Sequence, residues 1–188
     1  MTSRFILGIS LSAGLLLAPW GHAYDPIKAP IESPGSLQAL FTPWDDVERN
    51  IVEIIGGAQQ QILVQTYLLT SKKITRALIA AHQRGVEVLV LVDFDQYTKV
   101  ADSKIRELAA EGIKVWLETK YKNAHNKIIV IDAASPDSTV ITGSYNFTWS
   151  AQQKNAENIL IVRKNRQLAE QYAANWLRHQ QDALIYKK

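Results

Sequence analysis

Cysteine is absent from the 188 residues. That excludes disulfides, a thiol nucleophile and a thiolate metal site, so stability has to come from packing. Internal repeats and low-complexity tracts are also missing. There is no His-x-x-x-His pair, and Asp93-Phe94-Asp95 is the one close pair of carboxylates that invites a metal or phosphatase reading. An apolar strand ending in Asp-x-Asp can carry an aspartyl nucleophile or hold a divalent cation. It can equally be the polar end of a buried strand, and no second acidic pair follows it. No metal and no cofactor are therefore expected. The net charge of +3 is mild. It permits an anionic partner without demanding one.

What the chain does contain begins with a leader. Arg4, an apolar run over Phe5 to Ala18, and Gly21-His22-Ala23 read as a secretory signal peptide over residues 1–23, cut after Ala23. An uncleaved anchor is the alternative, although the run is short for a membrane span. The expected address is the periplasm or the exterior. Pro26, Pro30, Pro34 and Gly35 mark an extended leader over 24–36, leaving 37–188 as one domain.

Thr42 followed by Pro43 reads as an N-cap and first helical residue, with Val47, Ile51, Ile54 and Ile55 at helical spacing before Gly56-Gly57. A strand is expected over 61–68, a helix capped by Ser71 over 72–84, and a buried strand over 86–93. A helix over 99–110 and a strand over 113–117 follow. This alternation implies parallel strands with helices on their faces. Strands at 125–132 and 139–142, around a turn-like loop, then signal a hairpin. A strand at 158–162 and a helix at 167–179 close the chain. The expected fold is α/β: a three-layer α/β/α sandwich with a mixed, partly parallel sheet.

Chemistry concentrates in His125-Asn126-Lys127-Ile128-Ile129-Val130-Ile131-Asp132. Alternation along a strand puts His125 and Lys127 on one face and Asp132 on the other. If Asp132 faces Thr139, pairing runs Lys127 with Ser144 and His125 with Asn146. Imidazole, ammonium, hydroxyl and carboxamide then surround one point. Taken alone, Gly143-Ser144-Tyr145-Asn146 is equally a turn. Its shared face with His125 and Lys127 makes the case for a site.

His125-x-Lys127-x4-Asp132 followed by Gly143-Ser144-x-Asn146 and Glu157-Asn158 resembles the phospholipase D superfamily and its HKD motif. Within it, the chain resembles the small bacterial periplasmic endonucleases that carry one motif per chain. The resemblance covers roughly residues 38–180 and implies a role for each residue. His125 attacks phosphorus and holds it as a phosphohistidine. A second, protonated histidine serves as general acid. His82 and His179 lie on predicted helices, so the resemblance implies a homodimer in which each chain supplies His125. Lys127 and Asn146 would hold the non-bridging oxygens, Ser144 would add a hydrogen bond, and Glu157 would orient the histidine through its far nitrogen. Asp132 matches the motif, but its face argues for structural hydrogen bonds.

The superfamily divides between nucleases, phospholipases and phosphatidyl transferases. Lys120, Tyr121 and Lys122 just before His125, with Lys154 after the Ser-x-Asn turn, would track a phosphate backbone and stack on a base. No amphipathic interfacial helix is evident, and Trp149 beside Phe147 reads as core packing rather than a lipid-facing patch. The expected activity is a metal-independent, largely sequence-independent endonuclease acting on DNA and on RNA as a second substrate, without stable membrane association. An envelope phospholipase D or phosphatidyl transferase is the alternative.

Overall fold

The computed structural model describes residues 29–187, so the expected signal peptide and the first part of the leader lie outside the described residues. The elements run β1 (Ser36–Phe41), α1 (Val47–Gly56), β2 (Gln61–Thr66), α2 (Lys72–Gln83), β3 (Glu87–Asp93), α3 (Phe94–Lys99) and α4 (Ile105–Ala110). They continue β4 (Lys114–Glu118), β5 (Lys127–Ile131), β6 (Thr139–Gly143), α5 (Trp149–Gln153), β7 (Asn158–Arg163), α6 (Arg166–Gln181) and β8 (Leu184–Ile185). The strands make one eight-stranded sheet in the order β1-β7-β6-β5-β2-β3-β4-β8. β2, β3 and β4 are parallel, and every other neighbouring pair is antiparallel. The mixed α/β sandwich expected from the residue pattern is the fold observed.

Each sheet face has its own apolar layer. Ile62, Val64, Val88, Val90, Val115, Ile129, Ile141 and Ile161 pack under Val47, Ile51 and Ile55 of α1, Ile74 and Leu78 of α2, and Ile105 and Leu108 of α4. Leu63, Leu91, Ile128, Val130 and Val140 face the opposite way, against Ala169 and Trp176 of α6. Strand alternation assigns the two sets, and helical spacing presents the matching stripes. Trp176 is anchored further: its indole N–H donates to Val64 O at 2.9 Å.

Four expectations are corrected. First, Thr42 does not cap α1. Asp46 does, accepting from Arg49 N at 3.0 Å, while the buried Thr42 hydroxyl donates to Asn155 O and accepts from Glu157 N, each at 3.0 Å. A distant partner has taken the hydroxyl that local patterning assigned to the helix. Second, the helix expected over 99–110 is confined to α4, 105–110, and a separate helix, α3, precedes it over 94–99. Asp93 caps α3 by accepting from Gln96 N at 2.9 Å, and extended Val100 breaks the chain before α4. Third, β1 forms at the junction of the expected leader and the domain, where no element was expected, pairing Ser36 to Arg163 and Phe41 to Asn158. An edge strand half open to water carries a weak apolar signal.

The fourth correction is the hairpin register, which is displaced by one residue: Ile131 pairs with Thr139 and Ile129 with Ile141. Asp132 causes it. Its backbone turns out of the ladder with φ +49°, and its carboxylate accepts from three backbone amides, Gln59 N at 2.9 Å, Gln60 N at 2.7 Å and Gln61 N at 2.8 Å. The loop therefore absorbs Asp132. The one-residue shift sets Ile141, rather than Thr142, beside Ile129 in the core.

The Asp132 clamp joins the start of β2 to the end of β5 through charge-assisted bonds. Asp132→Ala is expected to cost about 3 kcal/mol of stability. Asp132→Asn, which keeps an acceptor and tolerates the left-handed backbone, should cost less than half of that. Urea midpoints of both variants check the ordering.

Candidate active site

The functional residues gather at one end of the sheet, where β2 and β3 finish and β5 and β7 begin. β5 starts at Lys127, which pairs directly with Thr66 of β2. His125 precedes the strand rather than opening it. The two side chains still meet: Lys127 Nζ lies 2.9 Å from His125 Nδ1 and donates to His125 O at 2.8 Å. Tyr67 completes the contact, its ring centroid 4.4 Å from that of His125 and 5.0 Å from Lys127 Nζ. The Tyr67 N–H donates to Asn126 O at 2.8 Å, which ties the His125 segment to the end of β2.

Exposure divides the pair. His125 is open to solvent, whereas Lys127 is only 5% exposed. Burial pushes the Lys127 ammonium down to about 8, and the negative charge of Glu157 opposes that shift. A buried lysine over an aromatic face, beside an exposed imidazole, can present a positive charge to an anion that reaches the imidazole.

The Asn146 side is held by the same β2 extension. Phe147 N donates to Leu68 O at 3.1 Å, and Phe147 O accepts from Thr70 N at 3.0 Å and Ser71 N at 2.9 Å. Thus residues 67–71 run between the His125 segment and the Asn146 segment, in place of the direct His125–Asn146 pairing expected from the hairpin. Asn146 Oδ1 is buried and finds no hydrogen-bond partner. Gly143 is obligatory beside it: a Cβ there would sit 2.2 Å from Asn158 O.

Ser144 is engaged within the fold, and the expected Glu157–His125 contact is not made within the chain. Ser144 Oγ accepts from Asn158 N at 3.1 Å and Asn158 Nδ2 at 3.4 Å, so it clasps β7 to β6. Glu157 Oε1 accepts from Asn155 Nδ2 at 3.0 Å rather than from His125, whose Nδ1 is occupied by Lys127. The Glu157 backbone is nonetheless fixed from both sides, because Thr42 N donates to Glu157 O at 3.0 Å.

The outer lysines are unequal. Lys120 Nζ bonds Asp182 Oδ2 at 2.6 Å, which spends its charge on the end of α6. Tyr121 is exposed but rests on His179, with centroids 5.1 Å apart. Lys122 is exposed, and Lys154 Nζ lies 5.1 Å from the Trp149 ring centroid. Trp149 itself is 59% exposed while Phe147 is buried, so the expected core packing holds for the phenylalanine alone. Asp93 is structural: besides capping α3, it accepts from Ala124 N at 2.8 Å and steadies the loop ahead of His125. Among the described residues no three His, Asp or Glu side chains converge in metal-binding geometry. Sequence reasoning missed Tyr67, whose place at the end of an apolar strand was its one signal, and the buried Glu118. Glu118 Oε1 lies 2.6 Å from His179 Nδ1, and its carboxylate accepts from Gln65 Nε2.

Four likenesses bear on this geometry. A family model described as "Cardiolipin synthase, PLD-like domain" matches residues 51–179, which include every residue of the HKD-type motif. The chain is 41% identical over 144 residues to a protein named Phospholipase D from Rickettsia prowazekii (strain Madrid E), covering 77% of this chain and 67% of that one. It is 34% identical over 135 residues to the Mitochondrial cardiolipin hydrolase of Xenopus laevis, covering 71% of this chain and 61% of that one. Among solved structures it is similar to a phospholipase D family member, Nuc from Salmonella typhimurium, with TM-score 0.74 and 29% identity over 81% of this chain and 99% of that one. The exposed imidazole paired to a buried lysine lies within the matched residues, and the chain belongs to the phospholipase D superfamily of phosphodiester-cleaving enzymes.

Proposed function

We propose that the chain is a metal-independent endonuclease that hydrolyses DNA, and RNA as a second substrate, through a phosphohistidine. The observation that carries the reading is the 2.9 Å contact between exposed His125 and buried Lys127. The fold resembles Nuc over nearly the whole of that chain, and exposed Tyr121 and Lys122 shortly precede His125 in the sequence while exposed Lys154 follows the Asn146 segment. The export reading of residues 1–23 puts the mature enzyme in the periplasm or outside the cell.

The chemistry runs as two displacements at one phosphorus. In the first, a ring nitrogen of His125 forms a P–N bond while the P–O bond to the leaving oxygen breaks. The same histidine of a second copy gives that oxygen its proton. In the second, water attacks phosphorus, its proton returns to that second histidine, and the P–N bond breaks. Attack through Nε2 needs the ring proton on Nδ1. A phosphate that draws Lys127 toward its non-bridging oxygens frees Nδ1 to carry that proton and to donate to Glu157. The Asn146 amide, rotated to present Nδ2, supplies a second donor to the same oxygens. One chain brings one such motif, which is why the active unit is a homodimer.

A lipid reading has its own support. Relatives are named for phospholipid cleavage. Phe41 and Trp44 are 50% and 81% exposed on either side of Thr42, which is bonded to Glu157. Supercoiled plasmid and cardiolipin-containing vesicles, each incubated with the enzyme in EDTA, separate the two. Nicking in the chelator is the expected result, and vesicle hydrolysis without nicking would transfer the site to lipid.

His125→Ala should abolish turnover while leaving the thermal midpoint within about 2 °C, since an exposed residue ahead of β5 carries little of the core. Acid-quenched wild type should retain labelled phosphate on a histidine, and the variant none.

The pH dependence follows from Lys127. Its ammonium is the charged, active form, so kcat/KM should fall as pH rises through about 8. Lys127→Ala should lower kcat by about a hundredfold or more. Lys127→Arg, charged throughout, should lose the alkaline limb whatever its absolute rate. A limb near the same pH in the arginine variant would assign it to another group.

A further inference from the structure

Beside the active site lies a cleft of about 590 Å³ lined by Thr70, Ser71, Lys72, Lys73, Lys104 and Trp149, with Glu48, Asp102 and Gln153 completing the wall. Both of its walls continue from the catalytic segments. Thr70 and Ser71 follow the Tyr67 that stacks on His125, and their amides are bonded to Phe147 O. Trp149 lies three residues beyond Asn146, where Thr148 N donates to Asn146 O at 2.7 Å and the chain turns into α5.

The chemistry of the lining is specific. Glu48 is already engaged, accepting from Ser71 Oγ at 2.6 Å and pairing with Lys73 at 3.0 Å. Its charge is therefore spent inside the wall. Lys72 is exposed and makes no ion pair among the described residues. Lys104 pairs with Glu107 at 3.5 Å, which leaves Lys72 facing Asp102, the remaining acid of the lining. Into the same cleft projects an indole that is 59% exposed, steadied by Lys154 at 5.1 Å from its centroid. A large flat apolar ring kept open to water among ammonium groups has the make-up of a stacking platform. The cleft is concave and too small for a duplex, but its volume is that of a one- or two-nucleotide ligand.

We infer that this cleft seats the single-stranded arm of a nucleic-acid substrate, with a base stacked on Trp149 and the adjoining phosphate on Lys72. The inference rests on the nuclease reading above. It adds that a strand must leave its duplex partner to fill the site, so single strands and frayed ends are the preferred substrates.

The test uses the mature full-length chain. Fluorescence anisotropy with His125→Ala and with His125→Ala/Trp149→Ala measures binding of a labelled oligothymidine decamer and of a duplex of equal length. Removing the indole should weaken single-strand binding about tenfold and change duplex binding by less than about twofold. With His125 intact, Trp149→Ala should raise KM on the decamer by a similar factor and leave kcat near wild type. Trp149→Phe should recover most of the loss. Unchanged single-strand affinity overturns the cleft assignment, and cleavage of the decamer by wild type in that case leaves the nuclease reading standing. Wild type that cuts no nucleic acid ends the nuclease reading, while the anisotropy arm still decides the cleft. If Trp149→Ala instead loosens binding to cardiolipin-containing vesicles alone, the platform belongs to a lipid surface and the inference falls.

Discussion

A lysine held inside the end of a sheet is the constraint around which this molecule is arranged. Lys127 occupies the first position of β5, opposite Thr66, with Tyr67 over its ammonium and His125 at 2.9 Å. Burying a charge is unfavourable unless neighbours offset it. Here the offset comes from a backbone carbonyl, a ring face and the nearby charge of Glu157. The residual imbalance shows as an ammonium that gives up its proton near pH 8. An arriving phosphate would complete the neutralisation, so the resting discomfort of the lysine is also its affinity for substrate.

The lysine can be held this way because β5 is pinned at both ends. Asp132, at its far end, takes the amides of Gln59, Gln60 and Gln61, which open β2. β2 then runs antiparallel to β5 and finishes at Thr66 beside Lys127. The two charged members of the motif are thus the two ends of one strand pair, about 16 Å apart along five residues of strand. One carboxylate sets the register, and the register sets where the ammonium lies. The motif's aspartate acts by geometry and never needs to approach phosphorus.

The second half of the site hangs on the same strand by another route. Past Thr66 the chain leaves the sheet and threads between the His125 and Asn146 segments, bonding to both. Thr42, entering from the edge strand, grips the backbone of Glu157. The catalytic candidates are therefore carried on three segments, at the start of β5, after β6 and before β7, and tied to a common scaffold by main-chain bonds. Such bonds tolerate side-chain change around the site, which lets one fold serve several phosphodiester substrates. The exposed aromatics at its rim, Trp44 and Trp149, are where substrate choice has room to vary.

The alternation of apolar runs with Gly-terminated helices was legible because burial period and helix caps are local properties. Ser71 capping α2 and the parallel β2-β3-β4 core read directly from the residues. The spacing His125-x-Lys127-x4-Asp132 also carried the family resemblance, because a motif is read from the sequence without reference to the folded partners of its residues. Tertiary structure decided whatever depended on which partner wins a polar group. Thr42 had a helix to cap and was taken by Glu157; Asp132 had a ladder to continue and was taken by three amides; Ser144 was taken by Asn158. A hydroxyl or carboxylate bonds equally well to near and distant donors, so only the folded arrangement says which one it meets.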